Sequence, residues 1–149
     1  AACEENVESF LLSVIDASLF AQNMALAFES LGWGICFIGG IRNDLNAVQE
    51  LLQLPRSVAP LFGMTVGRPD EDPWPRPRFP VEVIMNDNGV VPDEKVLAQC
   101  DEYDDLMAEY YVQRGASGRT WCGQMERFYE DPKRPHLKEY FESKGVRWR

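Results

Sequence analysis

The sequence holds a single histidine, His136, and no two cysteines at CxxC spacing. That scarcity argues against a metal site, because zinc draws on clustered histidine and cysteine. The one histidine stands alone, so the sequence supports no Ser–His–Asp or Cys–His arrangement. His136, beside Pro135 at an expected helix start, reads as a surface histidine. Both common phosphate loops are missing: the chain has neither GxGxxG nor GxxxxGK[ST]. Basic residues are outnumbered, 15 Lys and Arg against 24 Asp and Glu, and the net charge of −9 leaves no nucleic-acid footprint for the chain as a whole. No apolar stretch approaches the roughly 20 residues of a membrane span, and no signal-peptide pattern is present. Cys3, Cys36, Cys100 and Cys122 lie far apart, mostly inside apolar or helical patterns. They read as inert thiols in a reduced, cytoplasmic setting. No metal, nucleic-acid or membrane partner is expected.

What is present is one domain's worth of ordinary globular sequence. The 149 residues are 45% apolar, enough for a sizeable core. Residues 7–30 place Val7, Phe10, Leu11, Val14, Ile15, Leu19, Met24 and Phe28 at helical spacing. Alanines and small residues fill the other faces, so this helix is expected to be buried on most sides. Gly32 and Gly34 end it. Residues 35–38 read as a short buried strand. Asn43 is placed to cap a second helix that carries Leu45, Val48, Leu51 and Leu52 and stops before Pro55. Residues 61–66 read as a second buried strand, and the intervening helix suits a strand–helix–strand crossover. Five prolines between Pro69 and Pro80 exclude a helix or a central strand. VEVIMND alternates as a short edge strand would. An acid-rich amphipathic helix follows, broken at GASGR, and two shorter helices start near Trp121 and Pro135. The run CDEYDD reads as a solvated helix face, and Trp33, Phe37, Trp74 and Trp121 as packing residues. Two or three strands are too few for a normal sheet, and the chain opens directly on a helix. Both features lead us to expect that it is the later part of a longer domain.

Three basic elements could carry chemistry. In GICFIGGIRND, residues 34–44, an apolar run stops at Gly39-Gly40 and Arg42 follows just before a helix start. Such glycines let another group approach the backbone closely. Spacing leaves two alternatives open: a tight turn serving only chain reversal, or one wall of a site for a flat ring. Arg76 and Arg78 stand one residue apart between prolines, which hold a loop extended and its side chains at fixed positions. Guanidinium matches phosphate in geometry and charge, although pairing with the acidic surface is the alternative. Arg114, Arg119 and Arg127 surround the glycine-containing break, where a mobile basic loop could recruit a nucleotide phosphate. Arg114 could equally serve the helix C-terminus. No general acid/base pair accompanies these elements, which suits an enzyme whose cofactor carries the chemistry.

AQNMALAFESLGWGICFIGGIRNDLNAV, LPRSVAPLFGMTVGRPDEDPWPRPRFP and AEYYVQRG…RTW occur in this order. They resemble the oxygen-insensitive NADPH nitroreductase and flavin reductase group of the FMN-dependent nitroreductase family. The resemblance covers nearly the whole chain. It implies an α/β (α+β) fold, a mixed sheet wrapped by helices, in a homodimer with FMN at the interface. Phe37, Ile38, Gly39 and Gly40 would lie against the flavin, and Arg76 and Arg78 would face its phosphate-bearing side. Arg114 and Arg119 would bind the 2′-phosphate of NADPH, with Arg42 assisting. No side chain is expected to be catalytic. The reaction implied is ping-pong transfer of hydride from NADPH through FMN to nitroaromatics, quinones or free flavin. The family's HRSxRxF-type phosphate motif is not in this sequence. Residues 1–149 are therefore expected to form the C-terminal portion of one such domain, with a helical extension over about 93–149. The alternative is a truncated, non-catalytic remnant serving as a binding or dimerisation module.

Overall fold

The computed structural model describes residues 6–71 and 74–148; Cys3 lies outside them. The element order is α1 (Val7–Ser30), β1 (Gly34–Ile38), a 3-10 turn (Gly40–Asn43), α2 (Leu45–Leu52), β2 (Gly63–Gly67), α3 (Val81–Ile84), α4 (Asp93–Gln113), α5 (Trp121–Tyr129) and α6 (Leu137–Ser143). The chain forms two compact units. One combines residues up to 72 with the segment from Arg134 onward, and the other is Pro73–Lys133.

In the first unit, Asn6 caps α1 by accepting from the Ser9 amide at 2.7 Å. The far end closes on Gly32, whose φ of +79° is the left-handed position that favours glycine. There the Trp33 amide donates to Phe28 O and the Gly32 amide to Glu29 O, both at 3.0 Å. Only Ala21 and Ala25, one turn apart, are buried on α1. Leu11, Leu12, Ile15, Leu19, Phe20 and Leu26 are exposed. This corrects the expected all-round burial: α1 packs against β1, but its burial falls on two small alanines and its larger apolar residues are exposed. With a mean hydropathy of 1.5 over its apolar window, α1 is also long and apolar enough to cross a membrane by composition. The sequence reading that no stretch approaches that length is corrected. Alanine and methionine raise the hydropathy between the bulkier residues.

β1 and β2 pair antiparallel, in the register Gly34↔Gly67, Cys36↔Thr65 and Ile38↔Gly63. A parallel crossover was the expectation. The difference lies in residues 53–62, which follow the eight-residue α2. Ten such residues can span up to about 33 Å, enough to carry the chain back past the helix and into β2 from the opposite end. Asp44, rather than Asn43, caps α2, by accepting from the Ala47 amide at 3.0 Å. Asn43 instead ends the preceding 3-10 turn. Leu45 is almost fully buried, whereas Leu51 and Leu52 are exposed. The core of this unit joins Leu45 to Tyr140, Phe141 and Val146, with Phe10, Ala59, Leu61 and Leu137 against them. Phe10 meets Phe141 and Trp148 edge-on, at 4.9 and 5.8 Å between centroids.

In the second unit α4 is the spine, and Tyr103 and Met107 are its buried residues. Phe79 stacks on Tyr103 at 4.1 Å and meets Trp121 edge-on at 4.9 Å. The Tyr103 hydroxyl donates to Pro77 O at 2.9 Å. The start of α5 is fixed by two acceptors: Thr120 Oγ1 takes the Gly123 amide and Asp104 Oδ1 takes the Cys122 amide. The first four residues of VEVIMND fold as the short helix α3 in place of the expected edge strand. Pro80 starts it at φ −55°, and Val83 N donates to Pro80 O at 3.1 Å. The other three expected helices, α4 to α6, lie where the sequence places them.

Candidate functional site

The glycine turn follows β1. Phe37 is partly exposed and its ring meets Phe62 edge-on at 5.5 Å. The two glycines differ. A Cβ at Gly39 would meet Arg42 Nη2 at 3.1 Å, so that space belongs to the arginine. A Cβ at Gly40 would meet nothing within 4 Å, so the approach there is open. Arg42 does not point away freely: its Nη1 donates to Leu61 O at 2.6 Å and ties the turn to the segment before β2.

Two residues that sequence reasoning passed over hold this turn from the entry to α6. Arg134 Nε donates to Asn43 Oδ1 at 2.9 Å, from a backbone at φ +54° that non-glycine residues rarely adopt. His136 Nε2 lies 3.0 Å from Arg42 O. A carbonyl only accepts, so Nε2 carries the hydrogen. The histidine is exposed, as expected, and also braces the turn. More than ninety residues separate these partners, so no local spacing could announce the contacts.

The remaining predicted residues belong to the second unit. Arg76 and Arg78 are both exposed on the proline loop, which the Phe79 clamp and the Tyr103–Pro77 bond hold down. Arg76 Nη2 reaches the Tyr111 hydroxyl at 3.5 Å. Arg114, the C-cap of α4, donates from Nη1 to the Tyr110 hydroxyl at 3.3 Å, and its Cζ stands 5.8 Å from the Tyr110 ring centroid. The structure therefore brings Arg76 and Arg114 to adjacent residues in the last turn of α4. Gly115, at φ +70°, closes that helix, with Ala116 N donating to Tyr111 O at 2.8 Å. Arg119 is exposed between this closure and α5. Trp121 packs as expected, while Trp74 is exposed.

Thiol chemistry is weak beside this site. Burial, then the hydrogen bond and charge of Asp104, push the Cys122 thiol up to about 11. Cys36 is exposed on β1. Among the described residues no cluster of three metal-ligating side chains occurs. A cleft of about 690 Å³ in the first unit, lined by Phe10, Val14, Leu61 and Phe141 with Arg56 and Lys144, contains none of the predicted residues.

Fold and site define a class: an α+β protein with an open glycine turn after a strand and arginines held by tyrosine hydroxyls. Comparison with known proteins narrows it. Residues 5–68 match the family described as "Nitroreductase family", and residues 76–149 match "Nitroreductase family, C-terminal domain". The chain is 43% identical over 141 residues to the oxygen-insensitive NADPH nitroreductase of Salmonella typhimurium, across 93% of this chain and 58% of the relative. It is 42% identical over 144 residues to the FMN reductase (NADPH) of Bacillus subtilis, across 95% of this chain and 58% of that protein. Among solved structures, the NADPH:FMN oxidoreductase from Vibrio harveyi, complexed with NAD+, superposes with a TM-score of 0.87 at 36% identity. That match covers 97% of this chain and 59% of the other. This chain belongs to the nitroreductase family, and its fold is that family's. It spans about three fifths of the length of the relatives it matches.

Proposed function

We propose that the protein is an NADPH-dependent flavoprotein oxidoreductase that uses FMN to reduce nitroaromatics, quinones or free flavin. It works in this reading as a cytoplasmic homodimer. The observation that carries the proposal is the pair of arginines, Arg76 and Arg114, presented on neighbouring tyrosine hydroxyls at the end of α4. Both are permanent cations with donors to spare, which is the chemistry that phosphate-bearing cofactors require. The open face at Gly40 fits a planar ring beside the backbone. FMN, when bound, supplies the two-electron redox chemistry that this chain's side chains lack.

The residues of this chain bind and orient. Phe37, Ile38, Gly39 and Gly40 form a wall against which the ring system rests. Arg76 and Arg78 take the FMN phosphate, held in place by the Phe79 clamp. Arg114 and Arg119 take the 2′-phosphate of NADPH. Arg42 is engaged by the Leu61 carbonyl, so its assistance there is through the shape of the turn. The exposed apolar residues of α1, Leu19 and Phe20 among them, support a second copy covering that helix. The well-separated cysteines and the use of NADPH support the cytoplasmic setting.

The test is the visible spectrum of the purified full-length protein, followed by NADPH oxidation with and without a nitroaromatic or quinone. Bound flavin and an acceptor-dependent rate are expected. Colourless protein that FMN does not reconstitute refutes the reading. In the active protein, Arg114→Ala is expected to raise the NADPH KM roughly ten- to a hundredfold, as for a lost charge-assisted contact. The acceptor KM is expected to change far less. Equal changes, or none, would remove Arg114 from the 2′-phosphate site.

A further inference from the structure

Tyr111 has a hydroxyl whose protein partners among the described residues are both donors. Gln124 Nε2 lies 2.9 Å from Thr120 O and 2.8 Å from the Tyr111 hydroxyl. The Thr120 carbonyl can only accept, so the amide nitrogen must face it, and the amide cannot be turned the other way. The same NH2 group then donates its second hydrogen to Tyr111. On the other side, Arg76 Nη2 approaches the same oxygen at 3.5 Å, and a guanidinium has no acceptor. Both neighbours of the phenol oxygen are therefore donors. The single Tyr111 proton can go to neither, and no acceptor for it occurs among the described residues.

We propose that Tyr111, oriented by Gln124, is a ligand-binding residue that works with Arg76 as a two-donor clasp for a phosphate monoester, the terminal phosphate of FMN. The inference rests on the FMN reading above and adds two residues to it. Tyr111 donates its outward proton to a phosphate oxygen while the Arg76 guanidinium donates to another. Gln124 touches no ligand; it positions Tyr111. The arrangement is built before any ligand arrives. Thr120, the N-cap of α5, fixes Gln124, Gln124 fixes Tyr111, and the loop clamp fixes Arg76. A partly buried phenol held in this way donates to an anion more strongly than a freely rotating surface hydroxyl.

The test compares FMN with riboflavin, which lacks the phosphate, by quenching of flavin fluorescence in titrations of full-length apoprotein. Tyr111→Phe removes the hydroxyl and keeps the ring. It is expected to weaken FMN binding about tenfold, as for one charge-assisted hydrogen bond, and to leave riboflavin binding unchanged. Gln124→Met removes the orienting donor and is expected to weaken FMN several-fold, again without effect on riboflavin. Unchanged FMN affinity in Tyr111→Phe overturns the proposal and leaves the flavin reading intact. Equal weakening of FMN and riboflavin also overturns it, because the hydroxyl would then serve the ring or the fold. Wild-type protein that binds neither flavin overturns the FMN reading and this proposal together.

Discussion

Replacing Tyr103 by phenylalanine deletes one oxygen atom and tests how the arginine loop is held. Tyr103 is 4% exposed, and its hydroxyl is donated to Pro77 O at 2.9 Å, midway between Arg76 and Arg78. The ring itself stacks on Phe79 at 4.1 Å, and phenylalanine retains that contact. The loss is thus one hydrogen bond to a backbone carbonyl that water can partly reach, a net of about 1 kcal/mol. If that bond restrains the loop, the opened population rises about fivefold, because RT is about 0.59 kcal/mol. Trypsin reads the opening directly. The Arg76–Pro77 bond resists trypsin because proline follows arginine, while Arg78–Phe79 is a normal site. Under conditions where opening and closing are fast, cleavage at Arg78 is expected to accelerate about fivefold. For a domain of this size, the melting temperature is expected to fall by about 2–4 °C at most. Cleavage within twofold of the wild type, with folding intact, would refute the reasoning and show that the Phe79 stack alone holds the loop.

Three further outcomes are expected. Gly40→Ala should leave the melting temperature nearly unchanged, since an added Cβ meets nothing within 4 Å, yet weaken FMN binding several-fold by narrowing the ring's approach; equilibrium titration checks this. Asp44→Ala should cost about 1 kcal/mol in urea unfolding as the lost N-cap of α2, whereas Ser at the same position should restore most of it. At pH 8, Cys122 in the folded protein should alkylate on the order of a hundredfold more slowly than in urea, because a thiol at about 11 is almost wholly protonated there. The sign follows from the raised value. The neutral thiol is favoured by folding, so its contribution is complete below the ordinary cysteine range and is lost as the pH rises through about 11. Mass spectrometry of labelled peptides, with exposed Cys36 as the reacting control, reads the result.

Much of the local structure was legible in the chain. The apolar spacing of residues 7–30 fixed α1, the prolines kept the described residues between 69 and 80 irregular, and the long acidic pattern gave α4. These are short-range properties, set by backbone sterics and by which side chains share a face. The family, too, could be read from motif order, because GICFIGGIRN and the PRPRFP loop are contiguous. The errors fell where distant segments decide. Asn43 and Asp44 are both competent caps. In the structure Asp44 caps α2, while Asn43 accepts from Arg134, a partner 91 residues away that no local spacing announces. VEVIMND has the alternation of a strand, but Pro80 presets a helical turn and no sheet edge pairs with it among the described residues. The antiparallel pairing of β1 and β2 turns on how far residues 53–62 carry the chain, which composition does not encode.

The candidate site divides in the same way. The sequence by itself determined the chemistry on offer: an abundance of arginine at glycine and proline breaks, and no acid/base pair. Only the tertiary structure decided which of those groups are available. It spent Arg42 on the Leu61 carbonyl and gave Gly39's free side to that same arginine. It set Arg76 and Arg114 on adjacent tyrosines, and it placed donors on two sides of one tyrosine oxygen. The physical reason is the directionality of hydrogen bonds. A sequence states how many donors and acceptors exist, but only the fold states which are already paired.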